Sequence, residues 1–322
     1  MMKRIELTSV YADPINDFLI YRERCGVKNI HNEYQYYRKL DQFISKEGIK
    51  SISFTQEQAS RWRMPLENES EKGRYKRINY TRKFFEYLFA IGYEVFQFRD
   101  IKYPKSNFTP HIYTEDEVER YFKAVDSYQS NINRMNCVQL PVLFRILYCC
   151  GTRITETLMI RKKDVDMKKG IIKLSDTKNA KERYVIMSES LLHLMNLYAE
   201  KTFYQIPDNG YIFRNYKSTY ISNDWINELH VRILHQANIP YLGGGRGPRI
   251  HDWRHSFAIN SFKQMIDKGM DMYVALPILS TYLGHKTIMA TERYLRLTVS
   301  MYPYIEKKFS KTLDEIFGEV EI

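Results

Sequence analysis

No stretch of this 322-residue chain holds the roughly 20 consecutive apolar side chains that cross a bilayer, and the opening MMKRIELTSV lacks the apolar middle of a signal peptide. A helical membrane anchor is thereby excluded, and the expected location is cytoplasmic. Cysteine is scarce. Cys25, Cys137, Cys149 and Cys150 include no pair at the C-x-x-C spacing of a zinc or dithiol site, so buried free thiols are expected. His251 and His255 stand at the i, i+4 spacing of a metal pair, but the glutamate of H-E-x-x-H is missing and Arg254 would set a cation between them. No metal site is expected. Internal repeats and low-complexity tracts are absent as well.

What the chain has in excess is positive charge. Lysine and arginine number 49 against 38 aspartates and glutamates, a net charge of +11, which implies a polyanionic partner, nucleic acid more readily than membrane. With 44% hydrophobic residues, the chain is long enough for two domains with cores of their own. In FRDIKYPKSNFTPHIYTEDEV, Pro104, Asn107 and Pro110 interrupt any periodicity, which places a linker at residues 99–112. Thr114 and Glu117 then form a capping-box pattern that opens a new helix.

Ahead of the linker, residues 1–98 read as an all-α domain. DPINDFLIYRERCG, NEYQYYRKLDQFISKEG, TQEQASRWRMPL and EKGRYKRINYTRKFFEYLFAIG are four helices, with Gly26, Gly48 and Gly92 as C-terminal stops. On the fourth, Lys72, Lys76 and Lys83 share one face, and Ile78, Phe85, Leu88 and Phe89 form the packing face. The lysine stripe is either a solvated surface or a DNA phosphate contact, with Tyr75 and Tyr80 beside it suited to sugars and phosphates or to packing.

After the linker, helices are expected at 114–126 and 139–148, followed by a turn at Gly151 and a short helix begun by Arg153. IIKLSDTKNAKERYVIMS reads as a β-hairpin with Lys178 and Lys181 in its polar turn. Further helices fall at 189–202, 222–238 and 251–268. In the last, HDWRHSFAINSF puts His251 and Arg254 one turn apart at the helix N-terminus, where an anion is favoured. Pro277 is placed at the start of a short helix PILSTYL that Gly284 terminates. His285 and Tyr294 lie nine residues apart, about 900° on a continuous helix, so they can cooperate only if the chain bends at Gly284 and His285.

These residues resemble the tyrosine recombinase, or phage integrase, family. The resemblance rests on Arg153 in GTRITET, Lys178 in TKNAKER, His251 and Arg254 in HDWRH, His285 in YLGH, and Tyr294, all in the family's order. It covers about residues 110–300, and the N-terminal helices are similar to the family's core-binding domain. Departures are a longer segment between His251 and His285, Thr152 before the first arginine and Trp253 where leucine is common.

The resemblance implies a mainly α protein with a small β-hairpin or sheet. Its two-domain DNA clamp would comprise an N-terminal helical core-binding domain (1–98), the linker (99–112) and a mixed α/β catalytic domain (113–300). It implies site-specific strand cleavage and rejoining through a 3′-phosphotyrosyl intermediate, for mobile-element integration or excision or for Xer-like resolution. Tyr294 would be the nucleophile and Arg153 and Arg254 the phosphate clamp. His251 would be the base, His285 a hydrogen-bond partner of a non-bridging oxygen, and Lys178 the acid, with Lys181 its rival. Lys72, Lys76 and Lys83 are the candidate DNA contacts. No cofactor or obligatory metal is implied.

The implied partners are a double-stranded recombination site, a homo-tetramer on DNA and accessory directionality proteins. The apolar stripe Ile305, Phe309, Leu313, Ile316 and Phe317 in residues 301–322 either packs on its own domain or docks on a neighbouring subunit. The short stretch ahead of the first helix leads to the expectation of one class of core site without an arm-site domain. Each site residue also has a structural reading: Arg153 as a salt bridge, His251 as a helix cap, His285 as a C-terminal cap, Tyr294 as a core aromatic. A type IB topoisomerase would use the same nucleophile and arginines but relax supercoils without choosing a site. A DNA-binding regulator would bind DNA unaffected by the loss of Tyr294 and form no covalent product.

Overall fold

The computed structural model describes residues 5–27, 30–104, 109–130, 134–175, 182–243, 246–285, 287, 291 and 294. The chain divides into two compact units, residues 1–108 and 109–322. Lys178, Lys181 and the stripe in residues 301–322 lie outside the described residues.

The first unit is built from α1 (Ala12–Arg24), α2 (His31–Lys46), α3 (Gln56–Arg63) and α4 (Glu71–Ala90). Thr55 and Gln58 close a reciprocal capping box on α3, and the Ser70 side chain caps α4. Tyr11, Phe18, Tyr37, Leu40, Phe84, Phe85 and Leu88 fill the core as a mesh of tilted and edge-to-face rings. Each such side chain contributes roughly 1.5–3 kcal/mol by leaving water. Arg77 is wholly buried on α4, forked onto Glu69 and stacked over Trp62. The expected apolar face is corrected at Phe89, which is 61% exposed. It sits in the last turn of α4, just before Gly92 turns the chain away, and no described neighbour covers it.

The second unit runs α5 (Glu115–Asp126), α6 (Met135–Cys150), α7 (Ile154–Leu158), β1 (Val165–Asp166), β2 (Ile171–Leu174), β3 (Arg183–Ile186), α8 (Glu189–Thr202), α9 (Asn223–Gln236), α10 (Ile250–Asp267) and α11 (Met272–Leu283). The expected capping box of Thr114 and Glu117 starts α5. Helix α6 is the spine: Leu140, Leu143, Phe144, Ile146 and Leu147 are buried, and it packs against α5, α8 and α10. It begins four residues before the expected 139 and takes in Pro141, which leaves out one intrahelical hydrogen bond in its second turn. The hairpin gains a third strand, so the sheet is antiparallel in the order β1-β2-β3. At two residues, β1 is too short for alternation to mark it.

A second correction concerns Pro277, which lies inside α11 instead of at its start. Asp271 begins that helix by accepting the backbone N–H groups of Tyr273 and Val274. The longer segment after His251 is absorbed by α10, which continues to Asp267, and by this capped start of α11. None of the cysteines forms a disulfide among the described residues. Only Cys150 is buried and Cys25 is exposed, against the expectation of buried thiols.

Candidate active site

Two glycines set the geometry. Gly151 ends α6 at φ 57°, and a Cβ there would lie 2.2 Å from the Phe257 ring, so only glycine fits. The chain then bends so that Arg153 becomes the N-cap of α7, its backbone N–H donating to Glu156 Oε2 at 2.9 Å. Gly284 ends α11 at φ 66° and turns the chain away from the helix axis at His285. The bend required by the nine-residue spacing is therefore present.

Helix α10 carries His251, Arg254 and His255 in its first turns. Arg254 is 1% exposed. Its Nη1 donates to the Gly151 carbonyl at 2.8 Å, and its Nη2 to the Leu283 carbonyl at 2.5 Å and to His285 Nε2 at 3.1 Å. One guanidinium thus joins the ends of α6 and α11. Burial, and then the charge of Arg153, lower its pKa to about 10, which leaves it positive at neutral pH. Among the described residues its hydrogen-bond partners are two carbonyls and an imidazole, and the Glu156 charge acts on it without a hydrogen bond. A buried cation held this way is an incomplete ion pair that an anion would complete.

A guanidinium only donates, so His285 Nε2 accepts and the ring proton is assigned to Nδ1, which donates to Thr291 Oγ1 at 2.7 Å. Burial and the charges of Arg254, Arg153 and Arg183 hold this histidine at about 4. Its ring stacks with that of Tyr294, centroids 5.9 Å apart and 13° from parallel. Tyr294 is buried, and its ring also meets that of His255 at 5.4 Å. His255 in turn meets His251 edge-on at 4.8 Å.

His251 is also depressed to about 4, first by the crowding of its ring away from water and then by the charges of Arg254, Arg153 and Arg249. The residue as a whole is exposed. That exposure weakens the first cause and leaves the guanidinium field as the firmer one.

Glu156 is the site's carboxylate. Burial alone would raise its pKa, but hydrogen bonds and charge from Arg183, and then from Arg153, overcome this and hold it at about 2. Its Oε1 accepts from Arg153 Nη1 at 2.6 Å, and its two oxygens accept the Arg183 fork at 2.9 and 2.7 Å.

Arg153, His251, Arg254, His285 and Tyr294 therefore share one neighbourhood, while Lys178 lies outside the described residues. Sequence reasoning missed Glu156, Arg183, Thr291 and the placement of His255. The signal for Glu156 was its position three residues after Arg153 at a helix start.

The three candidate DNA-contacting lysines lie on α4 of the other unit. Lys72 and Lys76 are exposed, and half-buried Lys83 has its Nζ 5.8 Å from the Tyr80 ring. Tyr80 stacks on Tyr36, and Tyr75 meets Tyr103 edge-on, so both tyrosines have packing partners.

Residues 112–301 match the phage integrase family model. The tyrosine recombinase XerA of Pyrococcus horikoshii is 26% identical over 327 aligned positions, covering 99% of this chain and 100% of that protein. An integrase/recombinase of Sinorhizobium fredii, y4rB, is 27% identical over 193 residues, 58% of this chain, and the match spans only 61% of its length. Among solved structures, XerH site-specific recombinase bound to palindromic difH substrate in a post-cleavage complex has a similar fold. Its TM-score is 0.64 at 18% identity, covering 87% of this chain and 79% of that one. Since the family match takes in more than half of the chain and all five described site residues, this protein belongs to the phage integrase family, the tyrosine recombinases.

Proposed function

We propose that this protein is a site-specific DNA recombinase that breaks and rejoins strands through a 3′-phosphotyrosyl intermediate on Tyr294. The observation that carries the reading is Arg254, a buried guanidinium whose hydrogen-bond partners among the described residues are two carbonyls and an imidazole, set beside a histidine that stacks on the tyrosine. Attack of a tyrosine oxygen on a phosphodiester gathers negative charge on the non-bridging oxygens, and the planar forks of Arg254 and Arg153 suit that charge. A phosphate oxygen is a stronger acceptor than an imidazole nitrogen, so it would take over the Nη2 proton of Arg254. His285, freed as acceptor and beside the anion, would gain a proton and donate to a non-bridging oxygen.

His251 is the base for the tyrosine proton and Lys178 the acid for the departing 5′ oxygen, with Lys181 as its rival. The phosphotyrosyl bond conserves the energy of the broken phosphodiester, so rejoining needs no nucleotide and no cofactor. Strand exchange calls for four copies on two DNA sites, with residues 301–322 docking on a neighbour and accessory proteins setting direction. The task is integration or excision of a mobile element, or Xer-like resolution.

A base must be neutral to act. The guanidinium field holds His251 below the ordinary value of 6.5, so it is available as a base at neutral pH and is lost as the pH falls through its lowered pKa. Plotted against pH, kcat/KM for cleavage of a nicked duplex reports groups of the free protein and should show its acid limb below 6.5. A limb at 6.5 or higher would assign the step to a histidine outside this guanidinium field.

On α4, Lys72, Lys76 and Lys83 are assigned to DNA phosphates. Replacing one by alanine should lower the slope of log K against log salt by about 1 and leave the cleavage step unchanged. Equal slopes for all three variants and the unmodified protein would make the stripe a solvated surface.

The whole reading is tested by incubating the protein with a library of nicked duplexes. Adducts confined to one sequence, together with recombinant joints, are expected. Relaxation of supercoils without site preference would point to a type IB topoisomerase, and tight binding with no adduct to a regulator.

A further inference from the structure

Alternation along β3 sends Arg183 inward with Val185, while Tyr184 and Ile186 face solvent. An arginine on the inward face of a strand persists only if its charge is matched, and Arg183, 11% exposed, meets Glu156, 1% exposed, through two parallel hydrogen bonds of 2.9 and 2.7 Å. The same carboxylate holds Arg153 by its side chain at 2.6 Å and by its backbone N–H at 2.9 Å. Arg183 also crosses the corner that places His285: a methyl group on Gly284 would lie 3.2 Å from the Arg183 Cδ and 3.4 Å from its Nη1. One side chain on the sheet therefore touches both the holder of Arg153 and the turn before His285.

We propose that Arg183 is a positioning residue for strand cleavage, a brace that orients Arg153 through Glu156 and keeps the Gly284 corner at the distance from which His285 meets Arg254. The inference rests on reading Arg153 and Arg254 as the phosphate clamp. Without the fork of Arg183, Glu156 would keep Arg153 as its one cationic partner and draw that guanidinium inward, away from a phosphate. The charge of Arg183 has a separate effect, since it acts on His285 together with Arg254 and His251 of α10 and Arg153 ahead of α7. Bracing and charge can therefore be separated by substitution.

The test compares Arg183→Met, which keeps the length of the stem but removes fork and charge, with Arg183→Lys, which keeps the charge alone. Three quantities are measured on the full chain: single-turnover cleavage of a nicked duplex, DNA affinity, and the His285 titration by NMR with ¹³C-labelled histidine in the absence of DNA. Cleavage should fall by about 10-fold to 100-fold in both variants with DNA affinity unchanged, the size expected when reacting groups are displaced by an ångström or less. The His285 titration should move to higher pH in Arg183→Met and stay in place in Arg183→Lys. Cleavage by Arg183→Lys at the unmodified rate would contradict the brace, and this variant decides the matter if the methionine variant does not fold. An unmoved His285 titration in a folded Arg183→Met would contradict the placement of its charge. If the unmodified protein itself forms no adduct, the reading of Tyr294 as nucleophile fails, and the NMR titration still tests the placement of Arg183.

Discussion

Tyr294→Phe should form no covalent adduct with any duplex while binding DNA with the affinity of the unmodified protein. The substitution removes one hydroxyl and keeps the ring, and it is the ring that belongs to the buried apolar cluster of α10 and α11 and stacks on His285. Folding should therefore survive. The effect on cleavage is total because a phenyl ring offers no oxygen to attack phosphorus, and no neighbouring arginine or histidine can supply that bond. Adduct trapping on nicked duplexes, read alongside a binding isotherm, checks both halves. A normal adduct yield would transfer the nucleophile elsewhere, and lost binding would give Tyr294 a structural role.

Arg254→Ala should slow cleavage by about 10² or more through the loss of a preorganised donor to the phosphate. It should also lower stability, because the Gly151 and Leu283 carbonyls lose the side chain that satisfies them. An unmet buried acceptor costs about 1–3 kcal/mol. Arg254→Lys separates the two roles. A single ammonium cannot span the Gly151 carbonyl, the Leu283 carbonyl and His285 and also present two parallel donors to phosphate, so the rate should remain low even where the melting temperature partly recovers. Single-turnover cleavage and thermal unfolding of both variants give the comparison. Full recovery of rate with lysine would mean that charge alone suffices at this position.

Much of the site could be read from sequence because its residue types are unusual where they stand. A histidine after a helix-ending glycine and an arginine one turn into a helix that begins with histidine have few structural excuses when they occur together. The corner at Gly284 ahead of His285 could be inferred because glycine is the residue that a left-handed turn favours.

The brace was invisible for a physical reason. Glu156 and Arg183 are 27 residues apart, on a short helix and a strand, and no periodicity links them. His255 was hidden by its spacing to His251, which invited a metal reading, whereas the rings meet edge to face and His255 turns toward Tyr294. Pro277 misled because proline is a common helix start, but Asp271 supplies the stronger start by accepting two backbone N–H groups. Phe89 misled because helical spacing predicts direction and not whether a neighbour exists on that side.

The central claim is that Tyr294 becomes joined to a DNA 3′ phosphate. Its most direct test is mass spectrometry of the proteolysed adduct trapped on a nicked duplex, since this reads the amino acid and the nucleotide end in one spectrum. The account predicts a single modified peptide containing Tyr294, carrying a nucleotide through its 3′ phosphate and leaving a free 5′ hydroxyl on the released strand. A modification on any other residue, or a 5′ linkage, would contradict it.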